Sequence, residues 1–167
     1  MDRRIVIVGF MGCGKTTVAQ ALATRLECGM VDLDSVVSLQ AGMSVPDIIT
    51  KQGEAGFRDA ETSALQIVLD RLQPRIIALG GGAWTLERNR ELIREHECLT
   101  VFLDAPFELC WERIAASPNT IRPLAPDRET AQRLHESRRT SYLLAQLRVD
   151  ARKELAEIIS DITRRIS

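Results

Sequence analysis

The sequence has no apolar run approaching the ~20 residues that a membrane-spanning helix needs, so no such span is expected. It shows no repeat of solenoid period and no low-complexity tract, which argues against repeat arrays and disordered arms. Neither sign of charge is in excess: Lys+Arg 22 against Asp+Glu 23 leaves a formal −1. That balance gives no support to nucleic acid or a membrane surface as a partner, and with the small size it makes a monomer the expectation. Cysteines are few. Cys13, Cys28, Cys98 and Cys110 form no CxxC pair and stand near no His cluster, so neither a zinc site nor a disulfide framework is indicated. Reduced thiols of this kind suit a cytoplasmic protein. Met1-Asp2-Arg3-Arg4 followed by the short run Ile5–Val8 lacks the longer apolar region and cleavage site of a signal peptide, so a mature chain starting near Met1 is expected.

What is present is one domain's worth of chain. The 167 residues are 45% apolar, enough for a core without staples, and residues 1–167 read as a single domain. Short β-branched runs alternate with segments of helical spacing. The runs 5–8, 75–79 and 99–103 are apolar almost throughout, as in strands buried on both faces of a parallel sheet. Weaker runs lie at 30–32 and 147–149. Helices are predicted over 15–26, 54–72, 86–94, 106–115, 129–145 and 153–166, with Phe57, Leu65, Val68 and Leu72 on the inner face of the second. The order βαβα predicts a doubly wound α/β fold with a parallel sheet. The stretch 117–128 contains Pro118, Pro123 and Pro126 and no periodicity, and reads as an exposed loop of the kind that serves as a lid.

Gly9-Phe10-Met11-Gly12-Cys13-Gly14-Lys15-Thr16 fits G-x-x-x-x-G-K-[ST], directly after a predicted strand and before a predicted helix. Gly12 and Gly14 permit a tight turn, so that backbone N–H groups from Gly12 to Thr17 and the positive helix end can bind phosphate oxygens. The Lys15 ammonium reaches the outer phosphates, and the Thr16 hydroxyl can ligate Mg²⁺. A nucleoside triphosphate with Mg²⁺ is therefore expected. ATP is favoured because the guanine-reading sequence Asn-Lys-x-Asp is absent.

Three further segments suggest an acceptor. Asp32 and Asp34 follow the second strand, where ligands bind in open α/β sheets, and on a strand end they point to opposite sides. One could serve a metal shell and the other a hydroxyl; a helix N-cap with a neighbouring acid is the plainer alternative. Arg58, three residues from Glu61, could fork onto a ligand carboxylate or simply form a solvated ion pair. Gly80-Gly81-Gly82 ends the third strand and would let a ligand approach bare backbone N–H groups.

Taken together, the phosphate loop, Asp32-x-Asp34, Gly53-Glu54-x-x-Phe57-Arg58-x-x-Glu61, Gly80-Gly81-Gly82-Ala83, Arg122-Pro123-Leu124 and Arg138-x-x-x-Tyr142 resemble shikimate kinase over nearly the whole chain. The resemblance implies a P-loop kinase of nucleoside-monophosphate-kinase-like fold. Its sheet would have five parallel strands, with a substrate-binding helical region at about 33–61 and a mobile lid at about 116–128. It implies ATP-dependent phosphorylation of the 3-hydroxyl of shikimate on the chorismate route to aromatic amino acids. Asp34 would contact ring hydroxyls, either as a base or as an orienting group. Arg58, Arg138 and the backbone at Gly80 and Gly81 would hold the carboxylate. Thr16 and Asp32 would serve Mg²⁺, and Arg122 would reach ATP phosphates from the lid. ATP would meet Gly12, Cys13, Gly14, Lys15, Thr16 and Thr17, with Arg152 a further contact near the adenine. Two departures stand out. Ile48-Ile49 offers an aliphatic wall where the family has an aromatic one. Arg138-Arg139-Thr140-Ser141-Tyr142 lacks the family's proline and leaves two arginines as candidates, of which the spacing to Tyr142 favours Arg138. A kinase for another small acceptor such as gluconate or a nucleoside, and a nucleotide-binding module without turnover, are the alternatives. His96 and His135 lack a partner pattern, and Trp84 is placed close enough to the glycines to line a pocket.

Overall fold

The structure, a computed structural model, describes residues 3–166. Five strands form one parallel sheet in the order β2-β3-β1-β4-β5: β1 Ile5–Val8, β2 Met30–Asp32, β3 Ile76–Ala78, β4 Leu99–Asp104 and β5 Leu147–Asp150. The three continuous apolar runs are the three central strands. Every residue of β1 and β3 is buried, and so is β4 as far as Leu103, because helices cover both faces there. The two weaker runs are the edges. Ile7 pairs with Ala78 on one side and Val101 on the other.

Seven α-helices are found among the described residues: α1 Lys15–Arg25, α2 Leu33–Ala41, α3 Val45–Ile67, α4 Glu87–Glu95, α5 Phe107–Ala115, α6 Arg128–Tyr142 and α7 Leu155–Ile166. The predicted helix 54–72 differs at both ends. Its helical path starts at Val45 and is broken at Gly53, whose φ of 73° is a left-handed value that favours glycine. It ends in a π-helical turn, Val68–Leu72, closed by a Gln73 N–H donating to the Val68 carbonyl at 2.9 Å. The wider turn shifts the phase of the helix, so Leu69 is buried and the predicted core residue Leu72 faces outward. No regular element spans 116–127, in line with the loop reading.

Because all strands are parallel, their C-terminal ends share one edge. The phosphate loop follows β1, Asp32 and Asp34 follow β2, and the glycine triplet follows β3 on the strand between them. One continuous cluster of buried side chains, including Ile5, Leu22, Leu65, Ile77 and Leu103, holds these ends in place. Fully burying each such side chain contributes about 1.5–3 kcal/mol.

Beyond the last strands, Asp104 joins β4, β5 and α6. It accepts hydrogen bonds from Arg139 at 2.7 and 3.2 Å and from Arg148 at 2.7 Å. Burial raises its pKa, but the bonds from the two arginines outweigh that and hold the carboxyl below the usual carboxylate range. Folding therefore favours the ionised form. The stabilisation is present above the unfolded pKa near ~4 and is lost as pH falls through the folded value. Asp104→Asn is expected to lower stability at neutral pH by about 1 kcal/mol, the arginines being partly exposed. In strong acid it should change little; urea denaturation at the two pH values checks this.

Candidate active site

The phosphate loop turns sharply at Gly12, with φ of 77°. A Cβ there would lie 2.7 Å from the Cys110 carbonyl oxygen, so only glycine lets the loop pass this close to α5. The turn delivers the chain into the N-terminus of α1 at Lys15, where unpaired N–H groups and the helix dipole favour an anion. The Lys15 ammonium curls over the loop, donating to the Gly9 and Phe10 carbonyls at 2.8 and 3.0 Å. Arg113 of α5 donates to the Gly12 carbonyl at 3.2 Å, bringing a second cation to the same loop. Cys13 has its thiol buried behind the loop, against Gly9.

Asp32 performs two tasks. One carboxylate oxygen caps α2 by accepting from the Asp34 N–H at 3.0 Å, and the other accepts from the Thr16 hydroxyl at 2.8 Å. The capping alternative and the metal-shell reading are thus compatible in one side chain. Thr16 and Asp32 present hard oxygen donors side by side at the mouth of the loop. That suits Mg²⁺, which takes one or two protein oxygens and completes its shell with phosphates and water.

The glycine triplet forms the floor of the second half. A Cβ on Gly80 would meet Asp34 Oδ1 at 2.7 Å and Glu61 Oε2 at 2.9 Å. On Gly81 it would meet an Arg138 Nη1 at 3.1 Å, and on Gly82 the Arg58 Cζ at 2.6 Å. Each glycine thus makes room for a charged group. Arg58 pairs with Glu61 at 2.9 Å, but the pair is buried, with side chains 11% and 1% exposed, and so is not the solvated ion pair of the plainer reading. Asp34 Oδ1 and Glu61 Oε2 are buried without a hydrogen-bond partner. Burial, followed by the neighbouring Asp32, raises the Asp34 pKa; burial raises that of Glu61 against the pull of Arg58.

Arg138 is 6% exposed, and among the described residues no carboxylate stands within ion-pair distance of it. Burial lowers its pKa. Its neighbour Arg139 points the other way, to Asp104. Of the two arginines, Arg138 lines the cleft and Arg139 does not. Tyr142 supports the floor by donating its hydroxyl to the Gly81 carbonyl at 2.5 Å.

Both halves open onto one cavity of about 980 Å³. Its wall includes Gly12, Gly14, Lys15, Thr16 and Thr17 on one side and Asp34, Arg58, Gly80, Gly81 and Arg138 on the other. Arg122 reaches in from the loop with its Nε buried and unpartnered. Met11, Met43, Val45 and Ile49 supply an apolar side, with Ile49 forming the aliphatic wall read from the sequence. Four residues singled out in the sequence lie elsewhere. Arg152 stands off this wall and forks onto Asp150 at 2.7–3.2 Å. Trp84 turns away, its indole N–H held by the Ser141 carbonyl at 2.7 Å, so it does not line this pocket. His96 bonds to Asp70, and His135 packs on Phe10 and Phe107. Sequence reading missed Arg113 because 101 positions separate it from its partner in the loop and nothing local marks it.

The model of the shikimate kinase family matches residues 11–167. The chain is 38% identical over 150 residues to "Shikimate kinase" of Ruegeria pomeroyi, spanning 88% of this chain and 75% of that one. It superposes on the structure of shikimate kinase from Acinetobacter baumannii in complex with shikimate with a TM-score of 0.88 and 32% identity, over 98% and 92% of the two chains. A gluconokinase from Sinorhizobium meliloti, at TM-score 0.64 and 20% identity over 99% and 91%, shares the fold alone.

Gly82→Ala must push the Arg58 guanidinium off its seat and break its bond to Glu61. We expect a loss of about 1–3 kcal/mol in urea denaturation. Combined with Arg58→Ala, the two losses should fall short of their sum by about 1 kcal/mol or more; simple additivity would show that the two residues do not compete for space.

Proposed function

The chain belongs to the shikimate kinase family, and from that premise we propose which of its residues carry the transfer of a phosphoryl group from ATP to the 3-hydroxyl of shikimate. The observation that supports the assignment best is the pair of buried guanidinium groups, Arg58 and Arg138, in the same cavity as the phosphate loop. Arg138 in particular, a buried cation without a carboxylate partner, is costly until an anion reaches it. Shikimate brings one carboxylate. Arg58 and Arg138 grip it, each charge-assisted contact contributing about 1.5–3 kcal/mol, and the N–H groups at Gly80 and Gly81 complete the seat.

With the ring so fixed, the 3-hydroxyl faces Asp34. Asp34 accepts its hydrogen bond and receives its proton as the new bond to the γ-phosphorus forms and the bond to the departing ADP breaks. The loop amides from Gly12 to Thr17, with Cys13 contributing only its backbone, hold the phosphates. Lys15 and Arg113 offset their charge. Mg²⁺, which Thr16 and Asp32 would hold, would supply further charge neutralisation when bound. The lid at about 116–128 closes over the cleft, brings Arg122 onto the phosphates and excludes water. Arg152 is at most a rim contact, since Asp150 already occupies its donors.

Residues 1–167 act as one kinase domain and as a monomer, a reading supported by the single continuous core and the balanced charge. No helix among the described residues is long and apolar enough to cross a membrane, and Cys13, Cys98 and Cys110 are buried thiols, as a reducing cytoplasm would keep them.

The direct test is coupled ADP release across a panel of small hydroxy acids, gluconate included. Shikimate should be the acceptor, and the absence of shikimate-dependent ADP would end this reading. Lys15→Met should abolish transfer with the fold retained. Arg58→Ala or Arg138→Ala should lower kcat/KM for shikimate at least about tenfold with little change in ATP binding. Arg139→Ala should leave kcat/KM for shikimate near the parent value. An equal loss of both ligands in Arg58→Ala would point to misfolding instead.

A further inference from the structure

A second cavity, of about 560 Å³, lies at the opposite edge of the sheet, where β4 begins, between α4 and the chain entering β5. Its apolar surface is made by Trp84, Ile93 and Leu144. Trp84 and Ile93 are buried, whereas Leu144 is 61% exposed at the rim. Arg3, Arg90 and Arg94 line the same cavity, and Glu97 is its one acidic residue.

The arginines of this chain divide into those with a carboxylate partner and those, such as Arg4 and Arg113, whose side chains bond to backbone carbonyls. Arg58, Arg88, Arg128, Arg139, Arg148 and Arg152 each pair with a carboxylate. Those of the second cavity do not. Arg3 donates to the backbone carbonyls of Glu97 and Cys98 at 3.0 and 3.3 Å, and Arg90 to that of Trp84 at 2.8 Å. These acceptors are neutral, so they orient the guanidinium groups without cancelling their charge. The side chain of Arg94, exposed on α4, has no hydrogen bond or ion pair among the described residues. Three cations therefore converge on one concavity with their charge largely uncompensated, an arrangement that attracts an anion.

The remaining surface sets what kind of anion. The volume falls within the range of small-molecule sites and exceeds what an inorganic ion fills. The indole of Trp84 is held by its bond to the Ser141 carbonyl, so the apolar platform is preformed and costs little ordering on binding. We propose that this cavity binds a small amphipathic anion, an aryl carboxylate whose flat ring rests on Trp84 and Leu144 and whose carboxylate faces Arg90 and Arg94. It is separate from the kinase cleft, with which it shares no lining residue.

The probe is 2-naphthoate, titrated into the full chain and followed by the indole N–H resonance of Trp84, isolated by Trp111→Phe. A saturable shift is expected at concentrations up to a few millimolar. Arg58→Ala, which removes the carboxylate grip of the kinase cleft, should leave that titration unchanged. Arg94→Glu should weaken binding at least about tenfold, as should replacing the probe by 2-naphthylmethylamine, which has the same ring and the opposite charge. Inorganic phosphate should not displace the probe. Arg90→Gln gives a second reading should Arg94→Glu fail to fold, judged by its thermal melt. No saturable shift, equal binding of the amine, parental affinity in the arginine variants, displacement by phosphate, or loss of binding in Arg58→Ala would each overturn the proposal.

Discussion

Four charged side chains, Asp34, Glu61, Arg58 and Arg138, converge on three successive residues that have no side chain of their own. Charges brought this close out of water are expensive unless each finds a partner. Arg58 and Glu61 are partners to each other, whereas Arg138 meets no carboxylate and Asp34 Oδ1 no hydrogen-bond partner among the described residues. The triplet at the end of β3 is what makes the convergence sterically possible. A methyl group at Gly80 would strike both carboxylates, and one at Gly82 would strike the Arg58 guanidinium. This half of the cleft is in that sense built from absent atoms as much as from present ones.

Joining that half to the phosphate loop falls largely to Asp32. By capping α2 with one oxygen and holding the Thr16 hydroxyl with the other, it ties the start of the acceptor region to the start of α1. Tyr142 does comparable work from α6, bracing the Gly81 carbonyl one turn beyond Arg138. In-line transfer tolerates little misplacement, so short struts of this kind matter to rate as well as to stability. The buried clamp of Asn89, which donates to the Ala83 carbonyl and accepts from Thr62, extends the same rigidity behind the triplet.

Much of this could be read before any coordinates. The three runs that are apolar almost throughout are the inner strands, since a strand covered on both faces hides such a sequence, and the two weaker runs are the edges. The phosphate loop was legible because backbone geometry, helix dipole and lysine all act within eight consecutive residues. Gly53 belongs to the same motif as Arg58 and Glu61, but its left-handed φ, which breaks the path of α3 ahead of them, emerges only in the fold. The π-helical turn that carries Leu72 outward also escaped detection, since its cause is packing rather than local preference.

By itself the sequence determined the strand and helix order, the anion-binding turn and the candidate charges, all of which depend on neighbours a few positions apart. Tertiary structure decided how those charges are used. Consecutive helical residues point about 100° apart, so only the docking of α6 could send Arg138 into the cleft and Arg139 to Asp104. The same holds for Arg113 at the phosphate loop, for Trp84 turned away from it, and for the burial of Arg58 with Glu61. Each depends on which surfaces meet across long stretches of chain, and no local pattern records that.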